Sequence, residues 1–315
     1  MTASNYESHE YRVEEGGQIP GTSEPSYTLR AQLSPPIPVI IAVPHGGRSY
    51  PEELLANMRE PDYSALRLED RLIDEIGAEL ARQTGATLIV AHAPRAMLDL
   101  NRARDDVDWE MITGPKPHPV RHSLANRRAR SGLGLVPRRL PGFGEIWRGK
   151  LTRDELNARI AGVHRPYHAA LSRELESIRD EWGCALLVDL HSMPPLKQAA
   201  DRGVVPRFVI GDRFGTSCDA GLVSQAYHYL YDQGQPVAHN RPYAGGYVLD
   251  THAAPRHGIH AIQLEVCRST YLDSRLEGMS PKANAVTKLL SGLVRELGAV
   301  TARMASPDEF RNAAE

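Results

Sequence analysis

Val188-Asp189-Leu190-His191-Ser192 closes an apolar run that begins at Ala185. A short apolar run bounded by turn residues is the pattern of a buried strand, and Ser192-Met193-Pro194-Pro195 ends this one. In open α/β sheets ligands bind outside the carboxyl ends of the strands, which is where His191 falls. Three other runs end alike. Pro38–Val43 leads into Pro44-His45-Gly46-Gly47, Thr87–Ala91 leads toward Leu98-Asp99-Leu100-Asn101-Arg102, and Ile259–Leu264 delivers Glu265. Two histidines, an Asn-Arg pair and a glutamate at strand ends predict a single site.

The segments between these strands read as helices. Ser64 resembles an N-cap, and Leu66, Leu72, Ile73, Ile76 and Leu80 form an apolar stripe that stops at Gly85. Thr152 with Glu155 three residues on is a capping-box pattern, opening a helix to about Trp182 with a kink expected at Pro166. A strand over Arg207–Ile210, a helix from Thr216 or Ser217 to about Tyr231, a loop over Pro236–Leu249 and a helix over Ser280–Leu297 complete the pattern. This alternation predicts a three-layer α/β fold, a mostly parallel or mixed central sheet with helices on both faces. Residues 1–33 are expected to form an arm or an edge strand, 34–305 a single catalytic domain, and 306–315 a tail. Within that domain 103–150 loses apolar periodicity to Gly, Pro and Arg and is expected to be a lid or insertion loop.

Composition narrows the function classes. Across 315 residues, 41% hydrophobic and 24% charged content fit an ordinary soluble globular protein, and a net charge of −2 gives no reason to expect nucleic acid or an anionic membrane as partner. The basic stretch around Arg121, Arg127-Arg128 and Arg138-Arg139 lacks interleaved aromatics and reads as solvated or as part of the lid. Cys184, Cys218 and Cys267 are odd in number and far apart, so no disulfide framework or zinc knuckle is implied. The polar amino terminus lacks a signal-peptide pattern, and no apolar stretch approaches the roughly 18 residues that span a bilayer. A cytoplasmic address is the expectation.

His45 and His191 at parallel strand ends favour a metal over two isolated buried histidines. Imidazole suits zinc, and two histidines with one carboxylate and an open position make a catalytic zinc site. The carboxylate would come from Glu69-Asp70 on the connecting helix; Glu52 and Glu53 are rivals that read better as exposed charges. Asn101-Arg102 suits an anion, with a salt bridge from Arg102 to Asp99 or Asp105 as the structural alternative; Arg95 is similarly placed. Glu265, ending a buried strand, must pair, bind metal or act as a base. Asp189 is placed to accept a hydrogen bond from the second nitrogen of a ligand histidine. No Gly-x-Ser-x-Gly elbow occurs. Cys267 reads as a buried structural thiol, and His164 and His168, with Pro166 between them, as surface or core histidines.

His45-Gly46-Gly47, Asp70-Arg71-Leu72-Ile73-Asp74, Asp99-Leu100-Asn101-Arg102, Asp189-Leu190-His191-Ser192, Asn240 through Gly245-Gly246-Tyr247, and Gln263 through Tyr271 occur in that order. In them the chain resembles the N-formylglutamate amidohydrolases (deformylases) from about Pro38 to Leu297, and more loosely the zinc-exopeptidase group that includes aspartoacylase and succinylglutamate desuccinylase. The resemblance implies a zinc-exopeptidase-like fold and hydrolysis of N-formyl-L-glutamate in histidine degradation. It implies one Zn2+ per chain, or another divalent metal, on His45 and His191, with Glu265 as general base and Arg102 holding an anion. The looser relatives place a glutamate ligand three residues after their first histidine, where this chain has Arg48. Alignment through the deformylase-like motif makes Asp70 the third ligand, with Glu69 as the alternative. A diacid needs a second cation, for which Arg48, Arg95 and Arg241 are candidates, while Asn240 and Tyr247 would orient the substrate. The partner is a small molecule; the sequence sets no oligomeric state. Two rivals stand beside this: a zinc amidohydrolase for another N-acyl amino acid or peptide, and a metal-free carboxylate-binding protein of the same fold.

Overall fold

The computed structural model describes residues 11–115, 127–197 and 204–304. In chain order the elements are β1 (Tyr11–Gly16), β2 (Tyr27–Gln32), β3 (Val39–Val43), α1 (Glu52–Asn57), α2 (Pro61–Leu68), α3 (Ile73–Thr84) and β4 (Thr87–Ala91). There follow α4 (Arg127–Arg130), β5 (Arg139–Leu140), β6 (Gly144–Glu145), α5 (Arg153–Arg159), α6 (Arg165–Trp182), β7 (Ala185–Met193) and β8 (Phe208–Gly211). The last are α7 (Ala220–Asp232), β9 (Val237–His239), α8 (Tyr247–His252), β10 (Ile259–Cys267) and α9 (Ala283–Met304).

Eight strands form one mixed sheet in the order β1-β2-β4-β3-β7-β10-β8-β9. The central four, β4, β3, β7 and β10, run parallel. On one flank β1 and β2 are antiparallel, and on the other β8 runs antiparallel to β10. All nine residues of β7 and of β10 are buried, because helices cover both faces of the sheet. One apolar cluster joins α6 to that face of the sheet through Tyr167, Leu171 and Leu187; the other packs α3, α7 and α9 on the opposite face through Leu80, Leu230 and Leu293. Parallel central strands deliver their carboxyl ends to one edge, and His45, His191 and Glu265 all arrive there.

Several expectations need correcting. The helix expected from Ser64 to Gly85 is two helices; Ser64 lies inside α2, and Glu69 to Leu72 form the break. Leu72 adopts a left-handed φ of 57°, and Asp70 N donates to His45 O at 3.0 Å, so the chain turns inward there. Glu69-Asp70 therefore sits in a turn and not on a helix.

The helix expected from Thr152 to Trp182 is not regular around Pro166. A wider π turn over Ile160–His164 precedes α6, and Gly162 O, four residues before Pro166, accepts Gln18 N at 2.9 Å. The hydrogen bond a proline cannot give is supplied from the amino-terminal segment. Over its described part that segment follows the edge-strand alternative, with β1 at the sheet edge paired to β2.

The described part of 103–150 is a packed insertion and not an open lid: Val107, Met111, Leu135, Ile146 and Trp147 are buried in the α6-side cluster. Residues 116–126, including Arg121, and the tail at 306–315 lie outside the described residues. Among the described residues no helix is long and apolar enough to cross a membrane.

Candidate active site

His45 follows β3 after a two-residue step and is buried. Gly47 beside it is required by close packing: a Cβ there would lie 2.3 Å from Ala93 O. His191 comes up from within β7, and Asp70 from the turn between α2 and α3. One ligand atom from each lies within 4.8 Å of the others, and all three residues are buried. His191 Nδ1 is 3.0 Å and His45 Nδ1 3.6 Å from Asp70 Oδ2. The opposite nitrogens are held outward: His45 Nε2 meets Asp99 Oδ1 at 2.7 Å and His191 Nε2 meets Asp189 Oδ2 at 2.9 Å.

A histidine whose outer N–H is fixed on a carboxylate presents its other nitrogen as a lone pair, the usual support of a metal-binding imidazole. His45 Nδ1 is buried without a hydrogen-bond partner. A buried orphan lone pair aimed at a second imidazole and a carboxylate fits a divalent cation.

The charges in the cluster hold one another. Burial opposes ionisation of Asp70, but the hydrogen bond from His191 and the nearness of His45 keep its carboxyl well below the usual range. Asp99 is likewise buried and held low by Arg95, Arg102 and His45. Desolvation works against the His191 imidazolium, yet Asp189 and Asp70 raise it well above the ordinary histidine value. Arg268 stands behind Asp70, donating to Asp70 Oδ1 at 3.3 Å, to Ser192 Oγ at 3.1 Å and to Glu69 O. Ser192 N adds a 3.2 Å bond to Asp70 Oδ2.

Glu265 is the register neighbour of His191 on β10. Burial raises its carboxyl to about 7, against the lowering influence of His191 and Arg95. A carboxyl so placed is suited to proton transfer near neutrality. Gln263, two residues earlier on the same face, donates to Glu265 Oε1 at 2.8 Å.

The other candidates divide. Arg95 binds Asp99 Oδ2 through Nε at 3.0 Å and Nη2 at 2.9 Å, and its charge acts on Asp70 and Glu265. Arg102 donates Nε to Leu133 O at 3.0 Å and Nη1 to Asn101 O at 2.6 Å, with Asp99 3.8 Å away. Asn101 is buried against Gln263 and Val248. Arg48 forms a two-pronged pair with Asp74 at 2.6 and 2.9 Å, and Asn240 Nδ2 donates to Asp212 Oδ1 at 2.6 Å. Tyr247 packs its ring at a tilt against His164 and edge-to-face against His168. Arg241 is exposed on the loop before α8. Glu69 turns to Arg71 at 2.8 Å, leaving Asp70 as the carboxylate in the histidine cluster.

Asp99, Gln263, Arg268 and Tyr243 were not singled out from sequence for these positions. Tyr243, half-buried beside Met193 and Cys267, has its hydroxyl raised by burial and by the charges of Glu265 and Asp70. Period-two spacing from Glu265 is the signal that would have found Gln263.

The family model for N-formylglutamate amidohydrolase matches residues 37–272. N-formylglutamate deformylases of Pseudomonas aeruginosa and Pseudomonas putida are each 29% identical over 240 residues, covering 76% and 75% of this chain and 84% and 82% of theirs. The crystal structure of an N-formylglutamate amidohydrolase from Ralstonia eutropha JMP134 is similar with a TM-score of 0.79 at 29% identity, covering 88% of this chain and 99% of that one.

Proposed function

The chain belongs to the N-formylglutamate amidohydrolase family, and we propose that it is a metal-dependent amidohydrolase cleaving N-formyl-L-glutamate to formate and glutamate. The observation that carries the metal is His45 Nδ1, buried and unpartnered, converging with His191 Nδ1 and Asp70 Oδ2 beside Glu265. His45, Asp70 and His191 would hold one Zn2+ or a similar divalent ion. Bound there, zinc would supply Lewis acidity toward the acyl carbonyl and lower the pKa of water from 15.7 toward about 7.

The chain's own residues do the rest. Glu265, buried and register-paired with His191, takes the proton of the attacking water and returns it to the departing amine. Asp99 and Asp189 keep the two imidazoles in one tautomer and orientation. Arg95, whose charge reaches Asp70 and Glu265, is the first candidate to hold the developing oxyanion or a substrate carboxylate, with Arg102 as the alternative. Arg241, exposed on the loop before α8, with Tyr243 and Tyr247 on the same stretch, would select the amino-acid portion.

Specificity is tested by comparing kcat/KM for N-formyl-L-glutamate, N-acetyl-L-glutamate and N-formyl-L-leucine. A clear preference for the first supports the proposal. Preference for either of the others assigns the same site to a different N-acyl amino acid.

A further inference from the structure

An amide side chain is free to present either its oxygen or its NH2 group, so its direction must come from a neighbour that has no choice. Val248 N–H, in the first turn of α8, is such a neighbour. It donates to Asn101 Oδ1 at 3.0 Å. Asn101 Nδ2 must then face Gln263 Oε1, 3.1 Å away. Gln263 Nε2 is left to face Glu265 Oε1 at 2.8 Å. Three buried side chains thus take one direction from a single backbone donor.

The near end of this chain is tightly built. Gly246 brings α8 against Asn101; a Cβ on it would lie 2.6 Å from Asn101 Oδ1. The turn carrying Asn101 is clamped at three successive carbonyls. Leu100 O accepts His168 Nε2 at 3.0 Å, Asn101 O accepts Arg102 Nη1 at 2.6 Å, and Arg102 O accepts His164 Nε2 at 2.9 Å. Asn101 N in turn donates to Asp99 Oδ1 at 2.8 Å, the same oxygen that holds His45.

We propose that Asn101 is a positioning residue and not a substrate contact: it relays a fixed hydrogen-bond direction from Val248 to Gln263, so that Gln263 always donates to Glu265. With Oε1 so occupied, Oε2 of Glu265 is the oxygen presented to the reaction. A reversed Gln263 would set oxygen against oxygen and push the carboxylate out of its working orientation. The proposal rests on Glu265 being the base of the proposed reaction.

Asn101→Asp tests it. The substitution keeps the acceptor for Val248 N–H and removes the donor to Gln263. The expected result is a fall in kcat of about ten- to a hundredfold with KM changed less than about twofold. Gln263→Met acts at the other end of the relay, and in that background Asn101→Asp should cost less than about a further twofold. A raised KM, or losses that multiply in the double variant, would make Asn101 a substrate contact and overturn the proposal.

The second readout does not depend on turnover. The side-chain NH2 signals of Gln263, identified by their loss in Gln263→Met, should be slow to exchange in the parent protein and fast in Asn101→Asp. Unchanged exchange would overturn the relay. If the parent releases no formate from N-formyl-L-glutamate, the substrate reading fails while the exchange measurement still decides the relay. Should Asn101→Asp fail to fold, the exchange of the Asn101 NH2 signals in Gln263→Met replaces it, with faster exchange expected.

Discussion

His191 and Asp189, two residues apart on one buried strand, share a face and meet through a 2.9 Å bond between His191 Nε2 and Asp189 Oδ2. The carboxylate fixes which nitrogen carries the proton and leaves Nδ1 turned to Asp70. Asp189→Asn places an amide that is able to present a donor where an acceptor is needed. Zinc affinity should fall about 10- to 100-fold, read by competition with a chromophoric chelator. Unchanged affinity would remove Asp189 from the support of the site.

Glu265 is assigned the proton transfer and the metal is assigned to other residues. Glu265→Gln should therefore lower kcat by roughly 100- to 10,000-fold while zinc content stays at the parent level. Elemental analysis of the same preparation used for the formate assay separates the two roles. Loss of metal in this variant would recast Glu265 as a ligand.

Three buried histidines lie behind the Leu100–Arg102 turn, with His252 Nε2 donating to His168 Nδ1 at 2.9 Å. Burial, reinforced by His164, lowers His252 to about 4, and burial with both neighbouring imidazoles holds His168 well below the ordinary value. His164 is lowered chiefly by burial, with Arg104 and Arg165 also near it.

The sign follows directly. Between the unfolded value near 6.5 and about 4, the unfolded chain binds protons that the native chain refuses, so stability falls as pH falls through that window. His252 alone accounts for about 3 kcal/mol by pH 4. Urea unfolding at pH 7 and pH 5 should show about 2 kcal/mol of this loss, and His252→Gln, which retains a donor toward His168, should reduce it. An equal loss in the variant would refute the assignment.

Much of the site was legible because strands impose short-range rules. Apolar runs ending in His45, His191 and Glu265 located the strand ends, and the place of Asp189 in the strand just before His191 marked it as a hydrogen-bond acceptor for a ligand histidine. The Thr152–Glu155 capping box formed as its spacing predicts, because it needs only one helical turn. What was not legible depends on distant partners. Asp99 reaches His45 across 54 residues, Arg268 reaches Asp70 across 198, and Asn101 reaches Gln263 across 162. The break at Asp70 was hidden for a similar reason. Its flanking stripe reads as helix, and only the pull of the two histidines and the Asp70 N to His45 O bond explains why the backbone turns inward. The irregular 103–150 segment concealed core residues such as Trp147, whose burial follows no helical or strand period.

Metal content measured alongside formate release from N-formyl-L-glutamate, before chelation, after chelation and after zinc is restored, tests the central claim most directly. The expected result is about one zinc per chain, with turnover abolished by the chelator and recovered with the metal. Full turnover in metal-free protein would contradict the metal-dependent mechanism, and bound zinc without formate release would contradict the substrate.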